Sequence, residues 1–254
     1  MLKRLFAIIL LLSIPFITVL SVPYDDFVLF NDFDKGFEFA QELDKNVLLF
    51  FTSSSCIYCS QMKEDVLPVD NVAHFLINNY IVVELQAKDS EKGHFDVENA
   101  KYDPEGKEYS YQELFGLFGV RGVPASAFFN RNLEYLGVLP GLIKEEQFLG
   151  WLKYIDEEAF RNEIEFQDYE EPQDFEGELT IKAIDQETSK ELGQYYPEIT
   201  KYWTLEGFKD QNLLTIDPYK YHIVDAEKLK DLQKYINSVD KKRLFNVFVV
   251  ESNE

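Results

Sequence analysis

Cys56 and Cys59 are the chain's only cysteines, and they stand three residues apart where an unbroken apolar run gives way to a polar turn. No other feature restricts the fold as much. The run Val47-Leu48-Leu49-Phe50-Phe51 reads as a buried strand, and Thr52-Ser53-Ser54-Ser55 ends it. Met62 and Val66 continue the spacing begun at Cys59, which predicts a helix opening at Cys56 with Cys59 turned inward. One thiol is presented and the other is sheltered.

Unpaired backbone N–H groups and the helix dipole favour negative charge at a helix start, so Cys56 should form its thiolate more readily. A thiolate attacks a disulfide in another protein, and a second thiol one helical turn on resolves the mixed disulfide. Closing so short a loop removes little unfolded-state entropy, which favours a redox role over a structural one.

Strand, polar turn, C-x-x-C and helix, with a Val123-Pro124 dipeptide before an apolar strand and a closing helix, resemble the thioredoxin superfamily, in particular its extracytoplasmic members. The likeness runs from about Asp26 to Ile155, the size of one domain. It implies an α/β, thioredoxin-like fold, a central mixed sheet flanked by helices in the order β-α-β-α-α-β-α-β-β-α. It also implies a cis bond before Pro124, contact of Pro124 with the sulfurs, and an exposed Val123 backbone that pairs with an extended substrate. Cys56 would attack, Cys59 would resolve, and Ile57, Tyr58, Val123 and Pro124 would line the substrate groove. Many cytoplasmic thioredoxins carry a buried aspartate six residues before the nucleophile, and here Phe50 holds that place. No positive charge lies between the cysteines, and Lys63 is followed by Glu64 and Asp65, so local side chains should do little for the thiolate.

The elements around the pair follow from pattern. Phe27 to Phe30 suits an edge strand, and Asp34 opens a helix with Phe37, Ala40 and Leu43 on one face. Val72, Phe75 and Leu76 mark a helix after Pro68, and Tyr80 to Leu85 a buried strand. Ala87 to Tyr109 is polar and reads as a solvated insertion. A short helix over Tyr111 to Phe118, a strand over Ser126 to Phe129, a turn at Arg131-Asn132 into Tyr135 to Val138, and a helix carrying Phe148, Leu152 and Ile155 complete the unit. Trp151 lies off the apolar face and is assigned to packing.

Residues 1–21 read as an export signal: Lys3 and Arg4 precede a run from Leu5 to Leu20 broken only by Ser13, Pro15 and Thr18. An uncleaved membrane anchor is the alternative, although the run is shorter than the ~20 apolar residues of a spanning helix. Either way residues 22–155, the thioredoxin-like domain, are expected outside the cytoplasm, in the periplasm or secreted, where disulfides persist. Lys+Arg 25 against Asp+Glu 46, a net charge of −21, repels phosphates and excludes nucleic acid and anionic membrane surfaces as partners.

Residues 156–178 hold eleven acidic residues and one basic residue, Arg161, and read as an acidic linker or a helical extension up to Pro172. Residues 179–254 read as a small α/β region: strands at Leu179-Ile181-Ala183, Leu213 to Ile216, Tyr221 to Val224 and Leu244 to Val250, and a helix capped by Asp225 carrying Leu229, Leu232 and Ile236. His74, His94 and His222 are scattered, no phosphate-binding glycine cluster exists, and neither a metal nor any other cofactor is expected. The function expected is thiol–disulfide exchange with cysteine-containing exported proteins, served by an unidentified electron donor or acceptor. The alternatives are a chaperone-like binding module of the cell envelope working through its C-terminal region, and copper or zinc handling by the two thiols.

Overall fold

The computed structural model describes residues 23–30, 32–88, 90–170, 180–213, 216–217, 219–238 and 246–251. The expected export signal and the residues Leu179 and Leu244 lie outside these. Among the described residues no helix is long and apolar enough to cross a membrane.

A short 3-10 turn, Tyr24–Asp26, leads into β1 (Val28–Phe30) and α1 (Phe33–Leu43). The side chain of Asp32 accepts from the Lys35 amide and caps α1, so the cap stands two residues before Asp34 and the helix itself starts at Phe33. Then come β2 (Asn46–Thr52), α2 (Ile57–Gln61) continued by a π turn at Met62–Val66, α3 (Asp70–Asn79) and β3 (Tyr80–Gln86). The segment expected to be a solvated insertion instead forms an antiparallel hairpin of β4 (Lys92–Phe95) and β5 (Lys107–Ser110). Contacts to two elements hold that hairpin: the Asp34 carboxylate of α1 binds His94 through both its amide and Nδ1, and Phe95 packs edge-on against Phe129 in the sheet. The Gly93 backbone sits so close to the Phe33 ring that a Cβ would overlap it. Next are α4 (Tyr111–Leu117), opened by a Ser110–Glu113 capping box, β6 (Ala125–Phe129), β7 (Tyr135–Pro140) and α5 (Glu145–Asp156).

These strands form a five-stranded sheet in the order β1-β3-β2-β6-β7, parallel across β1, β3 and β2 and antiparallel across β2, β6 and β7. Every residue of β2 is buried, because helices cover both faces of the sheet; that is why its sequence shows no alternation. The core is aromatic: Phe37 stacks on Tyr102 and meets Phe129 edge-on, and Phe118 packs edge-on against Phe129 in turn. Such pairs contribute about 0.5–1.5 kcal/mol each beyond their burial.

The acidic stretch after α5 is not a helical extension. It makes two short 3-10 turns, Ala159–Asn162 and Phe166–Asp168, and folds back so that Phe166 stacks on Trp151 at 3.7 Å. The chain then forms β8 (Thr180–Ile184), α6 (Gln186–Tyr195), β9 (Thr200–Thr204), α7 (Leu205–Lys209), β10 (Tyr221–Ala226), α8 (Leu229–Asn237) and β11 (Asn246–Glu251). All pairs in this second sheet are parallel, in the order β8-β11-β10-β9. The strand expected over Leu213 to Ile216 lies partly outside the described residues; Leu213 and Ile216 themselves are buried and in no strand. One expectation fails: Asp225 lies within β10 while Lys228 occupies the N-cap of α8. The chain thus has the thioredoxin-like fold with an added C-terminal α/β region.

The two sheets share a core. Tyr196, Ile199, Tyr221 and Phe248 join the cluster built around β2, whereas Phe208, Val224, Leu232, Val247 and Val249 close a second cluster under α8. Polar contacts seam the halves: Lys35 to Glu191 at 2.8 Å, Thr188 Oγ1 to Glu42 at 2.6 Å, and Lys45 Nζ donating to the Ile77 carbonyl at 2.6 Å beneath the Tyr221 ring. Tyr219 bonds Asp70 at the start of α3.

Candidate active site around the cysteine pair

Strand β2 ends at Thr52, and the turn closes as the Cys56 amide donates to the Ser53 carbonyl at 3.1 Å. Cys56 is the N-cap of α2, with extended φ −89° and ψ 107°, and its Sγ accepts from the Cys59 amide at 3.0 Å. A sulfur therefore takes the capping place that Ser, Thr, Asp or Asn ordinarily fills, and the Cys59 N–H that points at it is shared with the Cys56 carbonyl at 3.2 Å. Cys56 is half-buried, Cys59 is 1% exposed, and the two are joined in a disulfide. Ile57 and Tyr58 between them project outward, 69% and 57% exposed.

The loop before β6 brings the other end of the site. Val123-Pro124 is a cis peptide, and Ala125 pairs in register with Phe51, which delivers this loop beside the cysteines. The Val123 carbonyl oxygen lies 3.5 Å from Cys56 Sγ; with the disulfide closed this is a contact, not a hydrogen bond. The Gly141 amide donates to the Pro124 carbonyl at 2.8 Å, and Gly141 adopts φ +88°, a conformation suited to glycine. Val123 is half-buried and Pro124 is buried. Cys56 and Val123 thus meet, with Ile57 and Tyr58 exposed next to the one and Pro124 buried next to the other.

Phe50, where a buried aspartate was the point of comparison, is fully buried. Its in-register neighbour on β3 is Glu84, which the sequence reading passed over inside an apolar run. The Glu84 side chain is 2% exposed, meets Lys63 Nζ at 2.5 Å, and accepts from the Tyr24 hydroxyl at 3.0 Å. Burial, then the nearby Glu84 carboxylate, push the Tyr24 phenol well above its ordinary value, so it stays protonated. One signal was available: a lone carboxylate in Tyr80-Ile81-Val82-Val83-Glu84-Leu85 has to find a partner or pay a heavy desolvation cost. Among the described residues no group of three or more His, Cys, Asp or Glu stands together to hold a metal ion.

Comparison with known proteins agrees with this layout. Residues 33–156 match the family model described as a thioredoxin-like domain. Among solved structures, a thioredoxin-fold protein from Helicobacter pylori is 20% identical, with 70% of this chain and 94% of that one covered and a TM-score of 0.44. A thioredoxin from Thermus thermophilus is 23% identical, covering 51% of this chain and 87% of that one at a TM-score of 0.38. The exposed lipoprotein thioredoxin of Streptococcus pneumoniae is 22% identical, covering 45% and 88% at a TM-score of 0.30. No curated relative matches the chain. Residues 33–156, which hold both cysteines, the cis Pro124 and strands β2, β3, β6 and β7, match the model of a thioredoxin-like domain and carry the thioredoxin-like fold.

Proposed function

We propose that the protein is an extracytoplasmic thiol–disulfide oxidoreductase acting on cysteine-containing exported proteins. One observation carries the reading: a half-buried Cys56 caps a helix through its sulfur beside the backbone of Val123, with a second, buried cysteine one turn on. In the reducing direction the Cys56 thiolate attacks a client disulfide, and the displaced client thiolate takes up a proton. Cys59, deprotonated, then attacks Cys56 Sγ. The mixed disulfide breaks, the second client thiolate leaves and is protonated, and two electrons have passed to the client. The Cys56–Cys59 disulfide is left in the state seen here. A dithiol donor resets it, and running the steps backwards oxidises a client.

The exposed Ile57 and Tyr58 side chains offer apolar contact to a client segment, and the Val123 backbone beside Pro124 offers it a strand-like hydrogen-bonding partner. Placement outside the cytoplasm rests on the basic and apolar pattern of residues 1–21. Cys59→Ser tests the proposal: it should accumulate mixed disulfides with exported proteins, resolved by dithiothreitol and absent from Cys56→Ser. A Cys59→Ser protein that traps nothing, together with a wild type that fails to exchange with glutathione, would overturn it.

A further inference from the structure

The edge of a sheet presents unpaired N–H and C=O groups and is a template for another strand. Among the described residues the parallel sheet ends at β9. Register fixes which backbone groups that edge presents. The Tyr221 amide of β10 donates to the Ile199 carbonyl at 2.6 Å, and β9 then runs beside β10 without a shift, from Thr200 opposite Tyr221 to Thr204 opposite Asp225. Alternate residues of a parallel strand bond the same neighbour, so Ile199, Lys201 and Trp203 turn their backbone groups to β10. Thr200, Tyr202 and Thr204 turn theirs outward. The edge strand β7 is defended: its pairing with β6 shifts register at Phe128/Phe129, its Tyr135 amide is taken by the Ala100 carbonyl, and it ends in Pro140. Strand β9 has no proline, no shift and no acidic residue, in a chain with 46 of them. Its one lysine does not stand over the edge, since Lys201 Nζ lies 5.7 Å from the Trp203 ring centroid. Tyr202, 57% exposed, leans to the other face, where its hydroxyl donates to the Ser189 carbonyl at 2.8 Å in space that a Cβ on Gly193 would fill.

We propose that β9 pairs antiparallel with β9 of a second copy of this chain, about a two-fold axis through the Tyr202 pair, joining two four-stranded sheets into one. The strand is complementary to itself in that register. The two Tyr202 residues exchange both backbone hydrogen bonds, and each Thr200 carbonyl accepts from the Thr204 amide of the other copy. Each Lys201 falls opposite Trp203 of the other copy, in the closer, non-hydrogen-bonded pairing, where an indole face attracts an ammonium. Like charges directly opposite would destabilise such a ladder, and this one opposes none. Glu198 and Glu206 lie beyond its ends, in a turn and on α7, the second of them 3.6 Å from Lys209. A second copy fits this edge because β9 meets its own reversed sequence with lysine against tryptophan and threonine against threonine. The interface lies in the C-terminal region, away from the sheet that carries the cysteines, and does not depend on the oxidoreductase reading.

Sedimentation of the full chain over about a hundredfold range of concentration should show a monomer–dimer equilibrium. Proline at 202 removes an N–H that the chain's own sheet does not use, so Tyr202→Pro should raise the dimer Kd about tenfold or more. Lys201→Glu, at an exposed position, aims an anion at the indole face and should weaken the dimer by about tenfold, whereas Lys201→Arg should keep it. Amide exchange at single-residue resolution reads the register. The Tyr202 and Thr204 amides should gain protection as concentration rises, while those of Lys201 and Trp203, already bonded to β10, should not. If Tyr202→Pro does not fold, Lys201→Glu and the exchange pattern still decide. A chain that stays monomeric at every concentration, a dimer that neither variant weakens, or protection that arises at another edge would overturn the proposal.

Discussion

The two sheets of this chain are built on different terms. The five-stranded sheet has helices of its own on both faces and ends β2 at a chemically loaded turn, whereas the parallel sheet has α7 and α8 on its outer face and, of its own helices, α6 with Leu192 on the inner one. Its inner face is finished by the other half. Residues of β10 show the division: Tyr221 and Ile223 point into the shared core, while Val224 and Ala226 belong to the cluster under α8. The first sheet holds the cysteines, and the second is fastened to α1, Lys45 and α3. A region that carries no catalytic candidate can still be part of the core on which the site rests.

Phe129→Ala should have the largest effect on stability, about 3–5 kcal/mol, because its ring is buried among Phe37, Phe95, Phe118 and Tyr135. Urea unfolding followed by tryptophan fluorescence should then show both sheets lost in one transition at lower urea. Two separated transitions would break the shared-core account.

Lys45 gives a finer probe of the seam. Burial pushes its ammonium well below the ordinary value of 10.5, with Arg131 adding to the effect. The folded chain therefore holds this proton less tightly than the unfolded chain, so stability rises with pH up to about 10.5 and falls as pH drops toward neutrality. Lys45→Met keeps the stem, and the Ile77 carbonyl keeps Asn246 Nδ2 as a donor at 3.3 Å. The variant should be about 1 kcal/mol more stable at pH 7 and lose the alkaline rise. An unchanged pH slope in urea titrations from pH 7 to 10 would show that Lys45 is not its source.

The smallest effect belongs to His222, whose Nδ1 accepts from Trp203 Nε1 at 3.1 Å while Nε2 donates to the Asp217 carbonyl at 2.8 Å. Burial pulls its pKa below 6.5, outweighing the neighbouring Asp217, because the neutral ring is the one bonded on both sides. Its contribution is full above 6.5 and is lost as pH falls through the range below it, by about 1 kcal/mol or less. Amide exchange from pH 7 to 5 should loosen β9 and β10 before β2 and β6. Uniform loosening would argue against His222 as the cause.

Much of the site was legible because its cues are local. An apolar run, a polar turn and a cysteine at a helix start need only neighbours in sequence, and the cis Val123-Pro124 bond was expected from the resemblance. Other elements depended on distant partners. The β4–β5 hairpin is polar on its outer side and is held by Asp34 and Phe129; β9 is a half-exposed edge whose Trp203 finds its partner on β10; Leu213 and Ile216 are buried without belonging to a strand. Glu84 was hidden by the apolar residues on either side of it.

The sequence by itself determined where the two sulfurs would stand and which of them would face solvent, since helix ends and apolar spacing act over a few residues. Only the tertiary structure decided what lies beneath them and what finishes the second sheet. A buried charge or an uncovered sheet face is satisfied by whatever distant segment packs against it. Glu84 with Lys63 and Tyr24, and Tyr221 with Lys45, are pairings of that kind.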